Sequence, residues 1–336
     1  MRGREFSRRI NLILFALSLS HFGLSDFAFG NPHCAKALIA AFQTRNQSLS
    51  PQLIESLNSK KAQEIMSQVR RAKLVIIFAD HDGTFKEHER NSEAVWPTTA
   101  EIGLIQEFEK DKRFRFVFIT GRPMDWFYAR YGNHDGIGIS ANHGVVEKPI
   151  NAKDWMPLHG LAEDWKDTLP FLQEYLRKIP ESRIEHKLGF VFHWKENEKL
   201  GGVALQMADE MARELYARLN ENFQGRPVRF AWSDKGRYFE ILPEDSRMGK
   251  GEAVLRNLRE FLGDDLNSSD EILVISAGDE SSDNEMHAVI RELEHQVRIK
   301  SISLKVGENH LNQTTAEFWL RSPADFQKLL RMLLEK

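Results

Sequence analysis

The sequence predicts a parallel-sheet α/β core interrupted by an inserted α+β domain, and three observations carry that expectation. Continuous apolar runs at 74–78, 116–119 and 272–275 lack the alternation of a half-exposed strand. They fit strands covered on both faces, as in a parallel sheet. Each run ends in small or polar residues: Asp80-His81-Asp82-Gly83-Thr84, then Thr120-Gly121-Arg122, then Gly278-Asp279-Glu280. The carboxyl ends of such strands are where open α/β sheets gather their active sites. The middle reads differently: 184–195 and 228–242 resemble antiparallel strand pairs flanking a helix, an α-β-β-α-β-β order that suits an inserted cap.

At 336 residues the chain is long enough for two modest domains. Its apolar content of 41% and charged content of 28% are those of a soluble globular protein. A net charge of -3 with no long run of one sign gives no basic stripe, so no nucleic-acid partner is expected. Cys34 is the single cysteine, which excludes an intramolecular disulfide framework and a cysteine-based zinc site.

The first thirty residues stand apart. Arg2, Arg4, Arg8 and Arg9 precede an apolar run at 10–19, and Ala28-Phe29-Gly30 supplies small residues for a cleavage site. That is the layout of a secretory signal peptide over 1–30, leaving no stable membrane span after cleavage. A mature chain beginning near Asn31 would be periplasmic or secreted. His33 before Cys34 argues against a lipoprotein. Beyond it, 31–70 reads as a helical segment with Pro51 opening one stretch. A first part of the core then covers 71–147, the cap 148–243 and the second part of the core 244–336. Within the cap, Val203, Met207, Met211 and Leu215 recur at i+4, predicting the packed face of a helix whose other face carries Asp209, Glu210, Arg213 and Arg218. Gly189 and 234–236 mark its turns.

The polar clusters carry the chemistry. Carboxylates at i and i+2 on a strand point to opposite faces, but a turn at Gly83 lets both Asp80 and Asp82 reach one site. One can attack phosphorus, the other can handle the proton, and a hard cation can sit between the oxygens. Thr120 offers a hydroxyl to a phosphoryl oxygen. Lys250 offers positive charge, although a lone lysine at a helix start is ordinarily a solvated surface group. Asp279 and Asp283, at i and i+4, share one face of a helix's first turn, where acidic residues also serve as simple dipole partners. Each cluster has a bland reading alone; the four together in this order do not.

In these four motifs the chain resembles the haloacid dehalogenase-like hydrolases, whose fold is a Rossmann-like core with, in one branch, a C2-type α+β cap. Within that superfamily it is most similar to the trehalose-6-phosphate phosphatases, from about Lys73 to near the C-terminus. The similarity includes Asn142-His143-Gly144, Glu185-His186-Lys187, His193-Trp194-Lys195, and 239–243 around Glu240. The resemblance implies a phosphoric monoester hydrolase with Asp80 as nucleophile, Asp82 as general acid and base, and Thr120 and Lys250 on the phosphoryl group. It implies magnesium held by Asp80, Asp82 (through its backbone carbonyl) and Asp279, with Asp283 in support. Arg122, His143, Gly144, Glu185, Lys187, Lys195 and Glu240 would bind the substrate, a sugar phosphate, in a monomer or homodimer. Alternative readings are an exported phosphatase for another sugar phosphate, a phosphotransferase, or a binding protein without turnover. The chain departs from the family at His81, where a tyrosine or apolar residue is usual, at Lys195, where arginine is usual, and at 280–284.

Overall fold

The computed structural model describes residues 34–45, 51–54, 59–89, 95–131, 134–186, 188–194, 199, 201–233, 237–262, 271–297, 299–309 and 311–335. The predicted signal segment 1–30 therefore lies outside the described residues, as do Lys187, Lys195 and the turn at 234–236. The described residues form two compact units, Leu158–Ser246 and the chain on either side of it.

The larger unit begins with α1 (Cys34–Arg45), β1 (Gln52–Leu53), α2 (Lys60–Arg71), β2 (Leu74–Ala79), α3 (Thr99–Lys110), β3 (Phe114–Ile119), α4 (Met124–Tyr131), β4 (Gly138–Ala141), β5 (Val146–Lys148) and β6 (Met156–Pro157). The smaller unit contributes α5 (Leu169–Leu176), β7 (Arg183–His186), β8 (Phe190–His193), α6 (Gly202–Asn222), β9 (Val228–Ser233) and β10 (Tyr238–Pro243). The chain then returns to the larger unit with α7 (Lys250–Leu262), β11 (Ile272–Gly278), α8 (Asn284–Gln296), β12 (Ile299–Val306), β13 (Phe318–Leu320) and α9 (Pro323–Leu334).

The large sheet has the order β1-β13-β12-β11-β2-β3-β4-β5-β6. It is parallel from β1 to β4, and β5 and β6 are added antiparallel. The continuous apolar runs are explained by burial on both faces. Val75, Ile77 and Ala79 of β2 join one core with residues of α2, α3 and α9. Ile76 and Phe78 join the opposite core with residues of α7 and α8. Phe114, Phe116 and Phe118 against Val117 and Ile119 repeat the division in β3. Each fully buried side chain of this kind contributes about 1.5–3 kcal/mol.

Two boundaries differ from the expectation. Pro51 does not open a helix: it leads into β1, which pairs parallel with β13, and α2 starts at Lys60 behind an N-cap at Ser59. Proline fixes φ and lacks an N–H, so a sheet edge suits it as well as a helix start does. The insert does not begin at 148 either, because β5 and β6 still extend the large sheet and the second unit starts at Leu158.

The smaller unit has the predicted α-β-β-α-β-β order, its strands arranged β7-β8-β10-β9 and antiparallel throughout. Phe190, Phe192, Phe239 and Ile241 lie in a core with Leu172 and Tyr175 of α5 and Ala208, Ala212, Leu215 and Leu219 of α6. The expected stripe holds only in its second half: Leu215 is buried and Met211 packs against this core, whereas Val203 is 74% and Met207 55% exposed. The buried stripe instead runs Ala208, Ala212, Leu215 and Leu219, against a sheet that carries bulky rings such as Phe192 and Phe239. Gly189 is dictated by close approach, since a Cβ there would lie 1.8 Å from the Ile241 carbonyl oxygen.

Candidate active site

Three loops at the carboxyl ends of β2, β3 and β11 meet in the larger unit. Strand β2 delivers Asp80, and the chain then turns sharply: Gly83, at φ 79, donates its N–H to the Lys86 carbonyl at 2.7 Å. A side chain at 83 would strike the Asp279 carboxylate, 2.2 Å from its Oδ2. Lys86 anchors the turn through Glu101 at 3.3 Å.

Lys250, at the first turn of α7, is buried rather than solvated. Its ammonium lies 3.0 Å from Asp80 Oδ1 and 2.6 Å from Asp283 Oδ1. Burial works against its charge, but the two carboxylates outweigh that and hold its pKa above the usual lysine value. Burial also pushes the Asp80 carboxyl up; Lys250 draws it back only in part, and Asp283 and Asp279 add to the rise.

Asp283, in the turn before α8, accepts the backbone N–H groups of Asp279 and Glu280 on Oδ2, both at 2.9 Å. Thr84 donates its hydroxyl to Asp279 Oδ1 at 2.9 Å, and His88 Nε2 lies 3.0 Å from Asp279 Oδ2. That hydrogen bond raises the His88 pKa to about 9. Beneath the loop the buried Lys305 donates to the Asp279 carbonyl.

Asp80, Asp279 and Asp283 place ligand oxygens within 4.8 Å of one another, all buried. Three carboxylates meet the ammonium of Lys250 and, at Asp279, the imidazole of His88, which still leaves an excess of negative charge that is costly to bury uncompensated. The donor set is oxygen alone, which fits a hard divalent cation and suits magnesium. His88, Asp279 and Glu280 form a second, more exposed group that shares Asp279.

Asp82 is gripped by Arg122, Nε to Oδ2 at 2.7 Å and Nη2 to Oδ1 at 2.6 Å. Burial opposes ionisation of Asp82, but the hydrogen bonds from Arg122, with the nearby His81 ring, outweigh it and hold the carboxyl well below the usual range. Thr120 is buried at the end of β3, with its hydroxyl accepting the Arg122 N–H at 3.1 Å. His143, at φ 56, donates its N–H to the Thr120 carbonyl and accepts that of Gly249, tying two site loops together. Gly144 is buried against α7, and its carbonyl accepts from Arg256.

The structure thus gathers Asp80, Asp279, Asp283 and Lys250 in one cluster and pairs Asp82 with Arg122. Glu185 and Glu240 belong to the smaller unit. There Glu185, Val191 and Glu240 stand opposite one another across β7, β8 and β10, on one face of the sheet. That face alternates with the one packed on the helices, and on it Glu185 Oε2 accepts a hydrogen bond from His193 Nε2 at 2.8 Å. Sequence reasoning passed over Thr84, His88, Tyr131 and Lys305. Thr84 stood in the Asp80–Thr84 motif without a role, and Lys305, in the alternating segment Ile302-Ser303-Leu304-Lys305-Val306, reads as a solvent-facing strand residue.

Residues 78–319 match the family model described as trehalose-phosphatase. The chain is 24% identical over 292 residues, 86% of its length, to an alpha,alpha-trehalose-phosphate synthase [UDP-forming] B of Dictyostelium discoideum, covering 34% of that protein. It is 24% identical over 303 residues, 84% of its length, to a trehalose-phosphatase of Schizosaccharomyces pombe, covering 35% of it. The chain therefore spans about a third of the length of these curated relatives. Among solved structures, the C-terminal domain of a C. albicans trehalose-6-phosphate phosphatase superposes with a TM-score of 0.66 at 19% identity, over 85% of this chain and 99% of that one. The match over most of the described chain shows that it belongs to the trehalose-phosphatase family.

Proposed function

We propose that the chain is a magnesium-dependent phosphatase that hydrolyses trehalose 6-phosphate to trehalose and phosphate through an aspartyl-phosphate on Asp80. The observation that carries this reading is Lys250 buried between Asp80 and Asp283, beside a three-carboxylate cluster that calls for a divalent cation. A lysine held there by two carboxylates would offset charge where an anionic nucleophile meets an anionic phosphate.

In the first half-reaction an Asp80 oxygen attacks phosphorus and the P–O bond to the sugar breaks, while Asp82, protonated once the substrate phosphate has drawn Arg122 off its oxygens, gives the leaving oxygen that proton. In the second, Asp82 takes a proton from water, which attacks the acyl phosphate and frees Asp80 and inorganic phosphate. Lys250 and the Thr120 hydroxyl would steady the phosphoryl oxygens. When bound, the cation supplies charge neutralisation and orients the phosphoryl group; Asp80, the Asp82 carbonyl and Asp279 would hold it, with Asp283 in support. Arg122, His143 and Gly144, with Glu185, Lys187, Lys195 and Glu240 of the smaller unit, would hold the substrate. We further infer that the mature chain begins near Asn31 and acts outside the cytoplasm, which N-terminal sequencing of protein from its native host checks.

The deciding experiment is phosphate release from a panel of sugar phosphates by the purified chain with magnesium. Trehalose 6-phosphate should be turned over most efficiently. Preference for another sugar phosphate would overturn the substrate, and no release from any member would overturn the phosphatase reading.

A further inference from the structure

His81 lies between the two catalytic aspartates of the proposed function, and the inference drawn from it rests on that reading. Its side chain is fully buried. It meets the rings of Phe118, Trp126, Phe127 and Tyr131 edge-on, with centroids 5.2–5.8 Å away. Such a cage suits an apolar ring at 81, and a buried polar group is costly there unless bonded. Both nitrogens face oxygens: Nε2 lies 2.5 Å from the Tyr131 hydroxyl and Nδ1 3.3 Å from Asp82 Oδ2. The Nδ1 approach is off the line of a well-formed hydrogen bond, and Nδ1 has no other partner among the described residues.

A neutral imidazole carries one donor and one acceptor nitrogen. The phenol of Tyr131 keeps its proton, because burial holds its pKa above the ordinary value. Donating that proton to Nε2 leaves the imidazole hydrogen on Nδ1, the nitrogen that lies beside Asp82. The opposite tautomer would set a lone pair against a carboxylate oxygen. Arg122 now occupies both oxygens of Asp82. A phosphate dianion would compete for that guanidinium, and His81 is then the contact that remains on the core side of Asp82.

We infer that His81, held in one tautomer by Tyr131, is a positioning residue that keeps the Asp82 carboxylate in place for its proton transfers. The order Tyr131, His81, Asp82 makes Tyr131 act only through the imidazole.

The test compares His81→Phe, Tyr131→Phe and the double variant on the preferred sugar phosphate and on p-nitrophenyl phosphate. The sugar leaves poorly and needs the proton from Asp82, whereas p-nitrophenolate leaves without one. The expected result is kcat on the sugar phosphate lowered roughly tenfold in His81→Phe, the low end for one hydrogen bond to a charged group, with thermal stability near wild type. The p-nitrophenol burst of the first half-reaction should be unchanged. The double variant should be no worse than His81→Phe alone. A p-nitrophenol burst slowed as much as turnover of the sugar phosphate, additive losses, or no loss would overturn the inference. Wild-type protein inactive on every ester overturns the phosphatase reading as well, so the two failures are distinguishable. Should a variant fail to fold, nitrogen-15 spectra of the wild-type protein decide: a neutral His81 protonated on Nδ1 supports the inference and one protonated on Nε2 overturns it.

Discussion

Arg122 and Asp82, separated by 40 residues of chain, form a two-pronged ion pair at 2.6 and 2.7 Å, with the guanidinium 4.4 Å from the centre of the Trp126 ring. Losing such a pair leaves a part-buried carboxylate with fewer donors. Arg122→Ala should therefore lower kcat/KM by about ten- to a hundredfold, the range for one hydrogen bond to a charged group. Arg122→Lys should recover little, because an ammonium cannot make the fork. The pair holds the folded Asp82 below its unfolded pKa, so its stabilisation is present above that unfolded value and disappears as pH falls through the folded one. The difference in thermal midpoint between wild type and Arg122→Ala should be full at neutral pH and shrink in strong acid. A difference that grows on acidification would refute this.

Asp80→Asn should abolish phosphate release and phosphoenzyme formation while the fold persists. Substantial turnover by a folded Asp80→Asn protein would sink the aspartyl-phosphate route.

Chelation with EDTA should stop turnover, and magnesium should restore it. Because a cation would relieve repulsion among Asp80, Asp279 and Asp283, magnesium should also raise the thermal midpoint. Saturation at a hundred times the dissociation constant corresponds to about 2.7 kcal/mol. A midpoint indifferent to magnesium, together with full activity after chelation, would remove the metal from the account.

Glu185 and Glu240 share one face of the smaller sheet, two strands apart. Glu185→Ala or Glu240→Ala should cut efficiency on the sugar phosphate by roughly ten- to a hundredfold, again from one charged hydrogen bond each. Activity on p-nitrophenyl phosphate, which has no sugar to hold, should change little. Matching losses on both esters would assign these residues to folding or chemistry instead.

His287 is buried beneath the site, its Nδ1 2.7 Å from the Ser276 hydroxyl, and burial pushes its pKa down to about 4. A histidine kept neutral in the fold but free to charge when unfolded contributes stability above its unfolded value of 6.5, lost as pH falls from there towards 4. One such proton steepens the stability curve in that window by up to about 1.4 kcal/mol per pH unit. His287→Gln should flatten it, as measured by urea unfolding across the window. An unchanged slope would count against a neutral buried His287.

Much of the fold was legible because a strand covered on both faces must be apolar throughout, and 74–78, 116–119 and 272–275 are. The loops that follow such strands have few places to go, so Asp80, Thr120 and Asp279 could be assigned to one end of one sheet from order alone. The helix-strand order of the inserted unit was readable from periodicity in the same way.

What periodicity leaves open is rotation. On α6 the stripe Val203-Met207-Met211-Leu215 and the stripe Ala208-Ala212-Leu215-Leu219 share Leu215, and only the packed sheet shows that the second is buried while Val203 and Met207 stay exposed. Partnership is open for the same reason. Whether Lys250 reaches solvent or lies between Asp80 and Asp283, whether Arg122 faces substrate or Asp82, and whether His81 fills space or aligns a carboxylate depend on distances of a few ångströms between residues far apart in the chain. The sequence by itself determined which strands are buried and which chemistry their ends carry. The tertiary structure alone decided which charges meet, because hydrogen bonds and ion pairs act over ångströms in space and not over positions in the chain.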